Sequence, residues 1–423
     1  MKTHSDNRFD VLVIGAGPAG STAATVLAQY GRRIALLEKE EFPRYHVGES
    51  LIPYTYFSLE RIGMISKLQK YPFVKKHSVQ FASINGKDSQ PFYFAEHMNH
   101  PAAQTWQTER NELDKLLLDN AREKGVNVLQ GIKVDKVLKN GDSVSGLLTV
   151  DNLNQYTEYH APVIIDATGR NGFMAKRSGW TVPDPVLKKV AIWNYYKGAK
   201  RDSGIDEGAT TIAYIPEKGW FWYIPLQNDI VSVGVVADKD YLYDTTRDPE
   251  VIFQREIKNN KWIEDHLAGS QTVDSYRITG DYSYRSKYSA TDGIVLTGDA
   301  FAFLDPVFSS GLFFALKGGE MAADHVECAL REGDVSASQF VKYGETFCRY
   351  IELMRRLVYV FYDKEFSFRP LFEKYPHLSG DVTDLLIGNL DKDFTDLFQK
   401  MEDYVELPAP LKHGRALVSE LVS

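Results

Sequence analysis

The sequence predicts a three-part α/β fold: a parallel-sheet unit, an antiparallel-sheet unit and a helical carboxy-terminal cap. Three observations carry this. Residues 11–38 read as strand, glycine-rich turn, helix and strand. Residues 210–238 read as antiparallel strands broken by turn signals. Residues 345–423 hold long stretches of helical apolar spacing. The bulk composition suits such a chain: 423 residues, 43% hydrophobic and 25% charged, can bury sizeable cores. The aromatic share of 13% fits a protein that handles flat apolar molecules. A net charge of −8 argues against nucleic-acid binding. The two cysteines, Cys328 and Cys348, lie in no Cys-x-x-Cys or Cys/His cluster, so no disulfide framework and no metal site is expected, and a reducing cytoplasm is. The amino-terminal "MKTHSDNRFD" lacks an apolar leader core, and no run approaches the ~18 apolar residues of a membrane span.

The elements follow in order. "VLVI", residues 11–14, suits a buried parallel strand. "GAGPAG" then sets Gly15, Gly17 and Gly20 in G-x-G-x-x-G spacing. Gly15 permits the tight turn, Gly17 lets backbone approach a pyrophosphate, and Gly20 lets the helix pack on the strand. The helix in "STAATVLAQYG" stops at Gly31, and its amino-terminal N–H groups and dipole favour phosphate. "RIALLE" is a second strand ending in Glu38, ~20 residues on, where a carboxylate bonds ribose hydroxyls. Together these read as a dinucleotide site.

Two later stretches define the dinucleotide. "VIIDATGRNG", residues 163–172, is a strand ending at Asp166. Residues 293–326 read as a strand, the pair Gly298-Asp299, a loop and a long helix. With Arg110 in "TERNELDKLLL", this order resembles the FAD-dependent aromatic hydroxylase superfamily. The resemblance implies a Rossmann-like FAD domain of the p-hydroxybenzoate hydroxylase type. It also implies that Asp299 binds the flavin ribityl chain and that Arg110 lies near the cofactor. No second G-x-G-x-x-G occurs, so no separate NAD domain is expected.

Three further motifs narrow the chemistry: "FPRYHVGES" at 42–50, W-x-W-x-I-P at 220–225 and F-x-x-P-x-x-S-x-G at 303–311. Over about residues 9–330 the chain resembles the flavin-dependent halogenases, whose two family marks are the last two motifs. The resemblance implies FADH2 delivered by a separate flavin reductase. Oxygen and halide (chloride or bromide) then give hypohalous acid by way of a flavin C4a-hydroperoxide. The oxidant passes through a tunnel to a lysine beside an electron-rich ring. Cofactor contacts are implied at the glycine turn, including Ala19, and at Arg44, Glu49 and Ser50. They are also implied at Arg110, Gly298, Asp299, Pro306, Gly311 and Leu312.

The implied halide site is the pair of backbone amides at Ser310 and Gly311, where a helix begins. The lysine falls in "PFVKKHSVQF", for which relatives show G-F-x-x-K-x-G-x-x-F. The register of Phe73 and Phe81 selects Lys76 over Lys75, although Pro72 and Ser78 stand where glycines are common. Trp220 and Trp222, two apart on a strand, face one side and form an aromatic wall. With Phe303 and Phe308 they shape the site. Indole-type relatives carry glutamate where this chain has Phe308, so a phenolic or pyrrolic substrate is expected, free or tethered to a carrier protein.

The expected parts are a discontinuous FAD domain (9–71, 105–178 and 291–344), a substrate-side sheet domain (72–104 and 179–290) and a helical region (345–423). That last region reads as a lid through Tyr359, Phe361 or Tyr362, or as plain core. "DKDFTD" reads as a solvated helix face, and His77 is the one histidine of interest. Two rival readings share the motifs of the FAD domain. One is an aromatic hydroxylase or prenyl-chain (geranylgeranyl-type) reductase. The other is a flavin-binding protein without catalysis.

Overall fold

Val11–Ile14 sits inside a six-stranded sheet ordered Ala290–Thr291, Ile294–Leu296, Val163–Asp166, Val11–Ile14, Ile34–Leu37 and Asn127–Leu129. The structure, a computed structural model, describes residues 7–418 apart from 142, 281, 282 and 364, so the first six residues of the amino-terminal stretch lie outside it. All pairings except the Ala290–Thr291 hairpin are parallel. Each residue of Val11–Ile14 is buried, as expected of a strand covered on both faces. Gly15 stands at φ +94, where a Cβ would lie 2.4 Å from the Ala167 carbonyl oxygen. At Gly20 it would lie 1.9 Å from the Gly15 carbonyl oxygen. Both glycines are therefore steric requirements of the turn.

The second sheet runs Gln271–Thr272, Lys189–Lys197, Ile230–Asp238, Trp220–Pro225, Thr210–Tyr214, Ser78–Ala82 and Phe92–Tyr93, with Arg277–Gly280 also on Lys189–Lys197. It departs from the expected antiparallel pattern at one place: Thr210–Tyr214 and Ser78–Ala82 pair in parallel. More than a hundred residues separate those strands, so no hairpin fixes their relative direction. The hairpin that follows the W-x-W-x-I-P motif turns at Asn228 and Asp229, both at φ 59, a conformation these residue types tolerate. Strand alternation then divides the aromatics. Trp193, Trp220 and Trp222 join the main core shared with the parallel sheet, while Phe221 and Tyr223 pack on Phe253 and Trp262 of two covering helices. The Trp222 ring lies directly on Gly234, where a Cβ would come within 2.1 Å of it.

Val74–Lys76 pairs with Thr105–Gln107, and its alternation exposes Lys75 and buries Lys76. The carboxy-terminal region is helical over Val341–Tyr362, Phe368–Lys374, Leu378–Ile387 and Thr395–Met401. "DKDFTD" is exposed except for Phe394, but most of it precedes the last helix. Asp393 accepts the Thr395 amide there at 2.9 Å, so this is a helix lead-in and not a helix face. No helix among the described residues is long and apolar enough to cross a membrane.

Candidate active site

The glycine turn is built to receive an anion. Gly17 precedes helix Pro18–Gln29 with no side-chain cap, and a Cβ there would meet only Arg44 Nη2, at 3.5 Å. The first-turn amides therefore face open space with a guanidinium beside it. Arg44 is held by Asp114 at 3.4 Å and Glu40 at 3.5 Å. Arg110 forks onto Asp114 at 2.9 and 3.1 Å and donates to the carbonyls of Val47 and Gly48. In this way it pins segment 42–50 to the start of its own helix. Glu38 accepts the Ala16 amide at 2.8 Å and the Glu40 amide at 3.0 Å, tying the turn to the second strand. Ala19 and Gly298 bring the two cofactor loops together, since a Cβ on Gly298 would lie 2.9 Å from the Ala19 methyl.

Asp299 is half-buried, and no described residue donates a hydrogen bond to its carboxylate. Desolvation pushes its carboxyl up to about 6, against the pull of Arg110 and Arg170. An open phosphate cradle flanked by arginine and a carboxylate without a protein donor match the two halves of FAD, its pyrophosphate and its polyhydroxyl chain.

The loop Pro306–Phe308 is closed by Asp305, whose Oδ1 accepts the Val307 amide at 3.2 Å. Ser309 follows at φ 54, left-handed without being glycine. Helix Ser310–Glu332 then starts with no side-chain cap. Leu312 is buried, and a Cβ on Gly311 would meet nothing within 4 Å, so there is open space beside Gly311 in the first turn of the helix. Phe303 is half-buried under the Arg170 guanidinium, 5.4 Å from its ring centre.

Lys76 is 1% exposed. Its Nζ donates to Ser50 Oγ at 2.8 Å and to the Leu51 carbonyl at 3.2 Å, and lies 5.5 Å from the Phe94 ring centre. Burial pulls the amine down to about 7, so both protonation states are populated near neutrality. Ser50 in turn meets Thr210 Oγ1 at 3.1 Å, linking the lysine to the second sheet. Its hydroxyl therefore faces Lys76. Thr105 and Gln107 lie opposite Lys76 and Val74 on the paired strand, hence on the lysine's face. Thr105 Oγ1 and Gln107 Oε1 are buried without a partner. His77, half-buried with its imidazole lowered by burial, is not part of this cluster of contacts.

The aromatic wall is larger than the sequence suggested. Trp222 lies 6.1 Å from Trp220 and 6.3 Å from Trp193. Phe361 of the carboxy-terminal helix contacts Phe308 edge-on at 5.7 Å and stacks on Tyr214 at 5.7 Å. Of the three lid candidates, Phe361 and Tyr362 reach the motifs, while Tyr359 donates to Asp184 at 2.6 Å. Glu49 belongs to a group that sequence reasoning missed. Its buried carboxylate accepts the Tyr195 hydroxyl at 2.8 Å, and Tyr195 bonds Tyr45, which also accepts Trp193 Nε1. Burial raises the Glu49 carboxyl. Only the run of aromatics on Lys189–Lys197 hinted at this, because the partners come from segments far apart in sequence.

Comparison with known proteins agrees with this geometry. The FAD binding domain family matches residues 8–334. A 1H-pyrrole-2-carbonyl peptidyl-carrier-protein chlorinase of Pseudomonas fluorescens is 31% identical over 409 residues, covering 91% of this chain and 90% of its own. A flavin-dependent halogenase of Armillaria mellea is 34% identical over 359 residues, covering 76% of this chain and 68% of its own. The solved structure of a flavin-dependent brominase superposes with a TM-score of 0.85 at 27% identity, over 94% of this chain and 99% of that one.

Proposed function

The chain belongs to the flavin-dependent halogenases, FAD-binding oxidoreductases, and from that premise we propose that it halogenates a phenol or pyrrole presented on a carrier protein, with Lys76 as the catalytic group. The observation that carries the reading is the Lys76 cluster. An amine buried against a hydroxyl and a carbonyl, with two unpartnered polar atoms on its face of the strand pair, suits a small polar oxidant and has no evident packing purpose. The chlorinase relative acts on a carrier-bound pyrrole, and Phe308 stands here where indole-type enzymes carry glutamate. A ring activated by its own hydroxyl or nitrogen needs no such carboxylate.

FAD, when bound and reduced, supplies the oxygen activation that converts halide to hypohalous acid. The Gly17 cradle and Arg44 hold its pyrophosphate, and Asp299 accepts ribityl hydroxyls. The Ser310 and Gly311 amides bind halide at the helix dipole's positive end. Lys76 hydrogen-bonds or traps the oxidant beside the substrate ring. Trp193, Trp220 and Trp222 keep the passage dry and hold the ring away from the flavin. We place the enzyme in the reducing cytoplasm, consistent with two free cysteines.

Mass spectrometry tests the substrate class. Phenol- and pyrrole-carboxylates are offered free and as thioesters on a phosphopantetheinylated carrier, with FAD, a flavin reductase, NADH and chloride or bromide. The expected product is a carrier-bound ring with halogen in place of hydrogen. Products carrying oxygen and no halogen would sink the proposal. A second expectation concerns the reductant. NADH alone should reduce the bound flavin very slowly, and a separate flavin reductase should restore turnover. Rapid NADH oxidation by the purified protein alone would favour a hydroxylase.

A further inference from the structure

Helix Val341–Tyr362 lies in the part of the chain that carries no family motif, yet its last turn touches both motifs. We propose that Tyr362 is a positioning residue for the halide turn, acting through Asp305. Trp220 Nε1 lies 2.8 Å from Tyr362 Oη, and Tyr362 Oη lies 2.9 Å from Asp305 Oδ2. An indole N–H can only donate, so the tyrosine oxygen accepts from Trp220 and its one proton goes to Asp305. The direction of the chain is thereby fixed: Trp220 to Tyr362 to Asp305.

Asp305 is fully buried, and its other oxygen accepts the Val307 amide that closes the Pro306–Phe308 turn. That turn leads directly into left-handed Ser309 and the amides of Ser310 and Gly311. The carboxylate is thus held from both sides, by the loop it shapes and by the carboxy-terminal helix. Other contacts fix the helix end independently of the hydroxyl. Phe361 packs on Trp220, Phe308 and Tyr214, and the Lys189 ammonium, paired with Asp238, lies 3.9 Å from the centre of the Tyr362 ring. Replacing Tyr362 by phenylalanine therefore keeps the ring contacts that dock the helix and removes the bond to Asp305 and the acceptor for Trp220.

This inference rests on the reading that the Ser310 and Gly311 amides bind halide, and the experiment separates the two. Bromide is varied in steady-state halogenation with FAD and a flavin reductase, and FAD affinity is measured alongside. Tyr362→Phe should raise the bromide KM about tenfold and leave kcat and FAD affinity essentially unchanged. Asp305→Asn should act in the same direction, because the amide has one acceptor oxygen where the carboxylate uses two, so it cannot accept from both Val307 and Tyr362 in the present geometry. It serves as the test if the phenylalanine variant does not fold. Ser310→Pro is the reference for the halide site itself. If Ser310→Pro raises the bromide KM and neither other variant does, Tyr362 has no positioning role and the halide site stands. If none of the three moves it, the halide reading fails and takes this inference with it. An equal loss of kcat at all bromide concentrations would mark Tyr362 as merely structural and overturn the proposal.

Discussion

Lys76→Met forms halogenated product ~100-fold or more slowly than the wild type, while it folds, binds FAD and consumes oxygen and reduced flavin at normal rates. The separation follows from position. The proposed cofactor contacts lie at the glycine turn, Arg44, Arg110 and Asp299, whereas Lys76 hangs from a different strand and hydrogen-bonds Ser50 and Leu51. Methionine keeps much of the stem but has no N–H to polarise an oxidant and no amine to trap it. Lys75→Met, one residue away but solvent-facing, retains most activity and controls for charge. Near-normal halogenation by Lys76→Met would refute the assignment.

Stability should move the other way. Burial lowers the Lys76 amine from 10.5 to about 7, so the folded state disfavours the cation. That cost is full below pH 7, shrinks as pH rises from 7 towards 10.5, and vanishes above. Lys76→Met should therefore be more stable than the wild type at pH 6, with the gap narrowing at pH 9. Thermal unfolding at the two pH values checks both the sign and the trend.

Ser310→Pro should raise the halide KM by ~100-fold or more, the scale of losing one preorganised donor, and Ser310→Ala should barely change it. The Ser310 hydroxyl makes no hydrogen bond among the described residues, so the alanine variant loses little. Proline deletes the amide proposed to bind the anion. It also disfavours the left-handed Ser309 before it, which moves the neighbouring Gly311 amide. Proline is otherwise tolerated at the first position of a helix, so the fold should survive. Kinetics over a range of bromide, with FAD binding as control, provide the measurement. Equally mild effects from both variants would remove the halide from this turn.

The local elements were legible in the sequence because their signals are local. The glycine turn, the strand ending at Asp166, the long helix after Gly311 and the Asn228-Asp229 hairpin each rest on residues adjacent in sequence. Burial of Lys76 and exposure of Lys75 follow from strand alternation, although the sequence reading reached Lys76 through motif register. What was hidden depends on pairs distant in sequence. Ser50 meets Lys76 and Thr210, Glu49 meets Tyr195, and Tyr362 joins Trp220 to Asp305. No spacing rule announces such contacts. The parallel pairing of Ser78–Ala82 with Thr210–Tyr214 was hidden for the same reason, since only hairpins dictate direction locally.

Gly234 makes the position of the Trp222 ring adjustable by a single atom. The Trp222 ring rests on this glycine as on a flat seat, and its indole N–H is tethered to Ser232 at 3.1 Å. A methyl group at position 234 would occupy space the ring now fills, and the strand beneath, being central in its sheet, cannot withdraw. The indole would have to shift against its ring neighbours Trp193 and Trp220. If these rings border the substrate as proposed, chemists who wish to retune the enzyme toward smaller rings have a lever on the far side of the wall, in contact with neither Lys76 nor the turn at 309–311.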